Sequence, residues 1–222
     1  MRPMSLLESG EFSGGVSLRS LLDGGSVAIA RSRLALGDVA FLTRRGGRSK
    51  AVGQPREFAL QQAPDYVDAV VEFDISRVDG VRRDSERVCM LMRSYARMTA
   101  SQGSYETMLR DVAKSGLSFG RTSFLEYVVV LKRLFVTDDL GAWNPNLRAK
   151  EDIRTSPTRH FVDPSIATAA LGAGPGDLMG DLNTFGLVFE SPCVSSQSEY
   201  DVKIFVAFAS EASYDSSRMR GG

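Results

Sequence analysis

The chain has 222 residues, 43% of them hydrophobic, and its 27 lysine and arginine side chains balance 27 acidic ones. This length suits one domain or two small ones, with enough apolar side chains for a core. The balanced charge excludes a globally basic nucleic-acid-binding chain, so any such role requires a local basic patch. With 2 cysteines and 1 histidine, a disulfide framework and a zinc site are excluded as well.

Hydropathy gives no sign of a membrane or export segment. The first residues carry no apolar signal sequence, and no run approaches the roughly 20 apolar residues of a membrane-spanning helix. Reduced thiols in a cytosolic protein are the simpler interpretation of the two cysteines. We therefore expect a cytoplasmic protein without a membrane partner.

The first part of the chain, residues 1–103, is predicted to be a helical linker region. A short helix over 36–42 is ended by two arginines and two glycines, which is a common stop signal. A longer helix over 55–73 contains Pro64, which is expected to kink or divide it. Asp84, or the serine after it, caps the next helix.

Arginines recur at helical spacing around that next helix. Arg83 and Arg87 are four residues apart, as are Arg93 and Arg97, so each pair shares a helix face. A phosphate-contacting stripe is one interpretation. A solvent-exposed face balanced by neighbouring carboxylates is the favoured one, because charged helix faces are usually just exposed.

Residues 104–163 carry the most informative pattern. Apolar side chains at helical spacing predict a helix over 105–115, and Gly116 and Gly120 bracket a turn. A second helix over 121–135 places apolar side chains on one broad face: Phe124, Leu125, Val128, Leu131, Leu134 and Phe135. Two short amphipathic helices joined by such a turn are typical of a helix-turn-helix unit.

Two structures are compatible with this pattern, a winged helix and a helical hairpin, and they differ in the segment after the second helix. Residues 136–161 look β-rich, with a candidate hairpin turn at Asn144–Asn146, and this addition makes the unit look like a winged helix. An ordinary helical hairpin in a core is equally compatible with the pattern. Trp143, the only tryptophan, is expected to be a core plug under the wing. The predicted fold class is mostly α with a small β wing, a helical region followed by a winged-helix-like unit.

In a winged helix, the second helix would supply a DNA-binding surface. Its first turns would face the major groove, and its last turn would lie near phosphates. The predicted groove-facing side chains are Arg121, Thr122, Ser123, Glu126 and Tyr127, and the predicted phosphate contacts are Lys132 and Arg133. The candidate partners are therefore DNA or a protein.

Catalytic chemistry finds little support in the sequence. No segment matches a phosphate-binding loop. The pair Asp138 and Asp139 suggests a metal site, but adjacent side chains on an extended segment point to opposite faces. A turn or an exposed edge is the expected place for them. His160 has no companions for a triad or a ligand cluster, so a structural or surface role is expected. We expect a non-enzyme with no catalytic residue, cofactor or metal.

The last part of the chain divides in two. Residues 164–191 are predicted to be terminal helices, in which Pro164 opens the first and a second runs over 177–190. Residues 192–222 contain no leucine and seven serines. This tail is expected to be poorly packed.

Several segments, in the same order, are similar to a known bacterial family. They are Arg2–Leu6 with Glu8–Gly10, Asp74–Val78, Thr155–Pro157 with His160–Pro164, Ala167–Gly172, and Leu182–Ser191. Over about residues 1–191, the chain resembles the predicted AAA-type P-loop ATPases that carry a C-terminal domain of unknown function, number 4143.

This resemblance implies an ATPase core before the chain, a winged-helix-like region over Ser104–Phe161 and a nuclease-like domain after residue 191. The nucleotide-binding residues of that core have no counterparts here, and the match ends at Pro192, which a frameshift would explain. The resemblance therefore implies a truncated, non-catalytic fragment that serves as a structural or coupling module. A stand-alone winged-helix DNA-binding protein is the alternative.

Overall fold

A computed structural model describes residues 3–11, 33–117, 119–141 and 156–195. Within these ranges the protein is helical and has no β-strand, which confirms the mostly α prediction. The helices are α1 (Leu36–Arg45), α2 (Arg56–Ala69), α3 (Ser85–Arg97), α4 (Tyr105–Ala113), α5 (Arg121–Arg133), α6 (Pro164–Leu171), α7 (Pro175–Gly180) and α8 (Leu182–Ser195). None of the described helices is long and apolar enough to cross a bilayer.

Short polar side chains begin three of these helices. The side chains of Asp84, Ser104 and Asp163 each accept a hydrogen bond from a backbone amide in the first turn of α3, α4 and α6. Each bond satisfies an amide that has no partner inside the helix. Pro164 occupies the first turn of α6, and Gly172 ends that helix in the left-handed conformation with φ of 72°. The helix starts at 84–85 and 164 are therefore as predicted.

Two helix boundaries differ from the prediction. Of the two effects expected of Pro64, a division is not found, because α2 continues past it to Ala69 and passes into a π-helical turn over Val70–Asp74. The kink stays a prediction. The single helix predicted over 177–190 is wrong. Asp181 leaves the helical conformation and its carboxylate accepts the amide of Thr184 at 3.0 Å, so α7 ends and α8 begins there.

The centre of the molecule is α6, which packs against α1, α2, α3 and α8. Its residues Ile166 and Ala167 are fully buried, within a cluster of apolar side chains that extends along the chain from Val67 to Val188. A smaller cluster of Ala40, Leu178 and Phe185 joins α1, α7 and α8. The division of the chain at residues 103, 163 and 191 stays a prediction.

The predicted β wing is not found in the part of the chain that the structure describes. Residues 136–141 and 156–161 form only isolated bridges, Thr137 with Phe161 and Leu140 with Thr158. No ladder develops because the second segment divides its backbone hydrogen bonds between two neighbours: Arg159 donates to Ser101 at 2.9 Å instead of to the first segment. The predicted hairpin turn at 144–146, Trp143, the start of the chain over 12–32 and residues 196–222 lie outside the described residues.

Candidate functional site

A buried cluster of charged and phenolic side chains surrounds Asp139. One carboxylate oxygen of Asp139 contacts Arg159 Nη1 at 2.5 Å and Lys132 Nζ at 2.8 Å. The other oxygen accepts a hydrogen bond from the hydroxyl of Tyr95. The side chains of Asp139 and Arg159 are only 5% and 3% exposed. This Asp139 cluster joins α3, the end of α5 and the segment before α6.

The negative charge of Asp139 stabilises the two positive charges of the cluster, those of Lys132 and Arg159. Burial acts to lower the pKa values of Lys132 and Arg159, but the Asp139 carboxylate outweighs burial and both pKa values are raised. Burial together with the Asp139 charge raises the pKa of Tyr95. Arg159 also donates to the carbonyl of Gly103 at 2.9 Å. Both cations therefore stay charged, and Tyr95 keeps its proton.

Such a cluster is suited to holding elements together rather than to proton transfer. Both oxygens of Asp139 are occupied by protein donors, whereas a general base needs a free oxygen within reach of a substrate proton. Asp138 is exposed and Asp139 is not, as the alternation of side chains predicted. An exposed edge was the wrong expectation for Asp139. Among the described residues, no group of three or more His, Cys, Asp or Glu side chains is placed to hold a metal ion.

His160 lies beside two residues of α8 that have catalytic side chains in other proteins. Its Nδ1 is 3.2 Å from the hydroxyl of Ser191, and its Nε2 is 3.9 Å from a carboxylate oxygen of Glu190. However, His160 and Ser191 are each only 2% exposed, so a substrate cannot reach the hydroxyl. Within the described residues, Nε2 has no hydrogen-bond partner. This group links α8 to the segment before α6, which agrees with the structural role expected for His160.

The predicted DNA-contacting residues do not lie on one surface. Arg121 and Thr122 are exposed in the first turn of α5, where Arg121 pairs with Glu106 at 3.0 Å. Ser123 is half-buried, and Glu126 and Arg133 are exposed. The set therefore leaves exposed side chains at both ends of α5.

Tyr127 and Lys132, from the same set, make contacts within the protein, although the side chain of Lys132 is 40% exposed. The ring of Tyr127 is buried and its hydroxyl accepts the amide of Asp84 at 3.1 Å. Lys132 belongs to the Asp139 cluster. The expectation of an exposed arginine stripe is also wrong for Arg83, which is buried, bonded to Asp79 at 2.7 Å and to the carbonyl of Ile75 at 2.9 Å. Tyr127 and Arg83 were predicted to lie on the surface, because helical periodicity does not show which loop residues pack against a helix.

Phe135, directly after α5, is the most unusual residue of the described structure. Its φ is +54°, in the left-handed region, and its side chain is 68% exposed. The backbone has a clear cause: Phe135 N donates to the Lys132 carbonyl and Val136 N to the Leu131 carbonyl, both at 3.0 Å. This is the Schellman arrangement, whose left-handed position is usually occupied by glycine.

Sequence reasoning placed Phe135 on the apolar face of the helix and missed this position. The helix ends two residues earlier, at Arg133, and no glycine or asparagine marks the end. An aromatic residue here bears a backbone penalty of about 1–2 kcal/mol. It also leaves an apolar ring in water. Contacts within the described residues therefore do not account for a phenylalanine at this position.

Comparison with known proteins identifies the family of the chain and corrects the resemblance given above. No curated protein and no solved structure matches the chain. The ATPase family with domain of unknown function 4143 is not the one that the sequence matches, so that assignment is wrong. The short segments on which it rested are each a few residues long and were not sufficient to identify a family. The matching model is that of a domain of unknown function (DUF8612) over residues 38–177, more than half of the chain, and the protein belongs to this family.

Proposed function

We propose that the chain is a non-catalytic interaction module that binds a protein partner through the end of α5, with Phe135 as the anchor. The observation that carries the proposal is the exposed aromatic ring held in a left-handed backbone conformation. Residues kept in such conformations against their preference cluster at functional sites. Exposed aromatic side chains are the residue type that most often anchors protein interfaces.

Exposed apolar side chains on α5 and in the loop before α3 support the same proposal. Val129, on the outer face of α5, is 54% exposed, and so is Val81 in the loop before α3. This loop lies near α5, because the Arg83 guanidinium is 5.6 Å from the ring centroid of Tyr127 and the amide of Asp84 donates to the Tyr127 hydroxyl at 3.1 Å. Apolar side chains rimmed by charged ones are typical of a protein-binding surface. The Asp139 cluster fixes the end of α5 from the inside.

Site-specific photo-crosslinking tests this proposal. A photo-reactive phenylalanine derivative replaces Phe135 in one chain and Phe58 in a control chain, since Phe58 is 52% exposed on α2. Both chains are produced in the source organism and irradiated. A discrete adduct with a protein is expected from position 135 and not from position 58. Equal adducts from both positions, or none from position 135, would contradict the proposal.

DNA binding is the second candidate, supported by the exposed Arg121 and Thr122 at the start of α5 and the exposed Arg133 at its end. Phosphate contacts make affinity fall steeply with salt, so duplex binding is measured at about 50 mM and about 200 mM salt. This function predicts salt-dependent binding that weakens on Arg121→Ala and not on Arg93→Ala, an exposed arginine of α3. Binding that both substitutions weaken equally would indicate nonspecific attraction.

A further inference from the structure

We propose that the surface around Gly46 and Gly47 is a peptide-docking groove, which takes an acidic peptide and is occupied here by residues 3–11 of the same chain. Its walls are residues 42–47, at the end of α1, and residues 162–164, at the start of α6. We call residues 3–11 the docked segment. None of these wall residues belongs to α5.

The backbone of the docked segment contacts the groove at Gly47, which has no side chain to prevent the contact. Met4 N donates to the carbonyl of Gly47 at 2.7 Å. A Cβ atom added to Gly47 would lie 2.0 Å from the Met4 carbonyl oxygen, so any other residue at position 47 would exclude the docked segment. The amide of Gly47 is held by Asp163 at 3.1 Å, which fixes the carbonyl that receives the segment. This main-chain hydrogen bond gives affinity without requiring a particular side chain at position 4. After Met4 the segment folds into a turn, in which Ser9 N donates to the Ser5 carbonyl at 3.0 Å.

Arg45 gives the groove its preference for an acidic peptide. Its side chain is 4% exposed and pairs with the carboxylate of Glu11. Arg45 also donates to the Gly46 carbonyl at 3.0 Å and to the Ser9 hydroxyl at 3.4 Å. A buried guanidinium that loses its carboxylate is strongly unfavourable. An incoming peptide must therefore carry a carboxylate that takes the place of Glu11.

The docked segment packs against residues of the region that matches the family, but it lies outside that region itself. The walls at 42–47 and 162–164 fall inside residues 38–177, and the segment falls outside. Met4 and Leu6 are only half-buried, and Leu7 is 59% exposed. A cleft lined by Leu42, Val162, Pro164 and Phe189 remains beside Met4 and Leu6. The segment is attached by one backbone bond, one ion pair, the bond from Arg45 to the Ser9 hydroxyl and half-buried side chains, so it is able to exchange with a competing peptide.

Peptide binding to the full-length chain tests the proposal. The probe is a capped, fluorescently labelled peptide of residues 3–11, and the chains are the wild type, Glu11→Gln, and Glu11→Gln combined with Gly47→Ala. An intramolecular segment competes at an effective concentration near the millimolar range. We therefore expect the Glu11→Gln chain, whose own segment is loosened, to bind the peptide at least about tenfold more tightly than the wild type does. Gly47→Ala should abolish binding.

A second peptide makes the test independent of how the Gly47→Ala chain folds. The same peptide with Glu11→Gln should bind the Glu11→Gln chain at least about tenfold more weakly than the original peptide, because it cannot pair with Arg45. Equal binding of the two peptides, or no gain in the Glu11→Gln chain over the wild type, would overturn the proposal. The docked segment would then be a fixed part of the fold.

Discussion

At the scale of single residues, Phe135 combines an unfavourable left-handed backbone conformation with an exposed ring. Replacing it with glycine removes the left-handed penalty and adds the entropy that glycine loses on folding. Because the ring is 68% exposed, little packing is lost. We expect Phe135→Gly to raise the free energy of unfolding by about 0.5–1 kcal/mol, measured by denaturant titration.

Val129→Gly is the control for that substitution, since it lies on the exposed face of the same helix. Glycine inside a helix lowers stability by about 1 kcal/mol. The two substitutions should therefore shift stability in opposite directions. If Phe135→Gly instead lowers stability by more than 1 kcal/mol, the ring packs on the protein and is not held for a partner.

The buried imidazole of His160 makes stability depend on pH. Burial lowers its pKa, against the opposing charges of Asp139 and Asp138. As the pH falls through about 6.5, the unfolded chain takes up a proton before the folded chain does, so stability is full above that pH and decreases below it. Burial raises the pKa of Glu190, so its protonation acts in the opposite direction.

Comparison of two chains isolates this effect. The wild type and His160→Gln are titrated with denaturant at about pH 7.5 and about pH 5.5. We expect the wild type to lose more stability than His160→Gln between the two pH values, by no more than about 1.4 kcal/mol, which is the worth of one pH unit of differential titration. The same loss in both chains would show that other groups control the pH dependence.

At the scale of elements, the predictions succeeded where a local signal sets the structure. The caps at Asp84 and Asp163 are hydrogen bonds to amides two or three residues further along the chain. The helices that they begin were predicted with nearly correct starts. The split between α7 and α8 was missed because Asp181 lies inside a run with helical periodicity. The wing is not found in the described residues, because the apolar and β-branched residues of 136–161 predict extended backbone but not the strand that it pairs with.

The Asp139 cluster was not predictable for a related reason. Its members Tyr95, Lys132, Asp139 and Arg159 lie far apart in sequence, and no spacing rule connects them. Asp139→Asn removes the charge that pairs two cations, one of them almost fully buried. We expect the free energy of unfolding to fall by about 3–5 kcal/mol, the usual loss when one partner of a buried pair is removed.

The matched control is Asp68→Asn, the same chemical change at an exposed position of α2. Exposed substitutions away from special features stay within about 0.5 kcal/mol. Both variants are measured by thermal and denaturant unfolding. If Asp139→Asn costs no more than Asp68→Asn, the Asp139 cluster does not hold α3, α5 and the segment before α6 together.

At the scale of the whole molecule, α6 is the element on which the described helices converge. It comes late in the chain, yet it packs on α1, α2 and α3, which precede it, and on α8, which follows. Sequence reasoning placed it among terminal helices, because periodicity shows that a helix is apolar and not how many neighbours it has. Every one of the first five residues of α6 is buried, Pro164 to Thr168, as expected of a helix enclosed by others.

This arrangement predicts that the two apolar clusters unfold together. Ile166→Ala opens a cavity in the main cluster and Leu178→Ala opens one in the smaller cluster; each should cost about 2–5 kcal/mol. Because α6 contacts α1 and α8, which carry the smaller cluster, we expect both substitutions to shift one common transition. Circular dichroism and tyrosine fluorescence should report the same midpoint in each variant. A separate early transition in Leu178→Ala alone would show that α1, α7 and α8 form an independent unit, and α6 would then not unite the molecule.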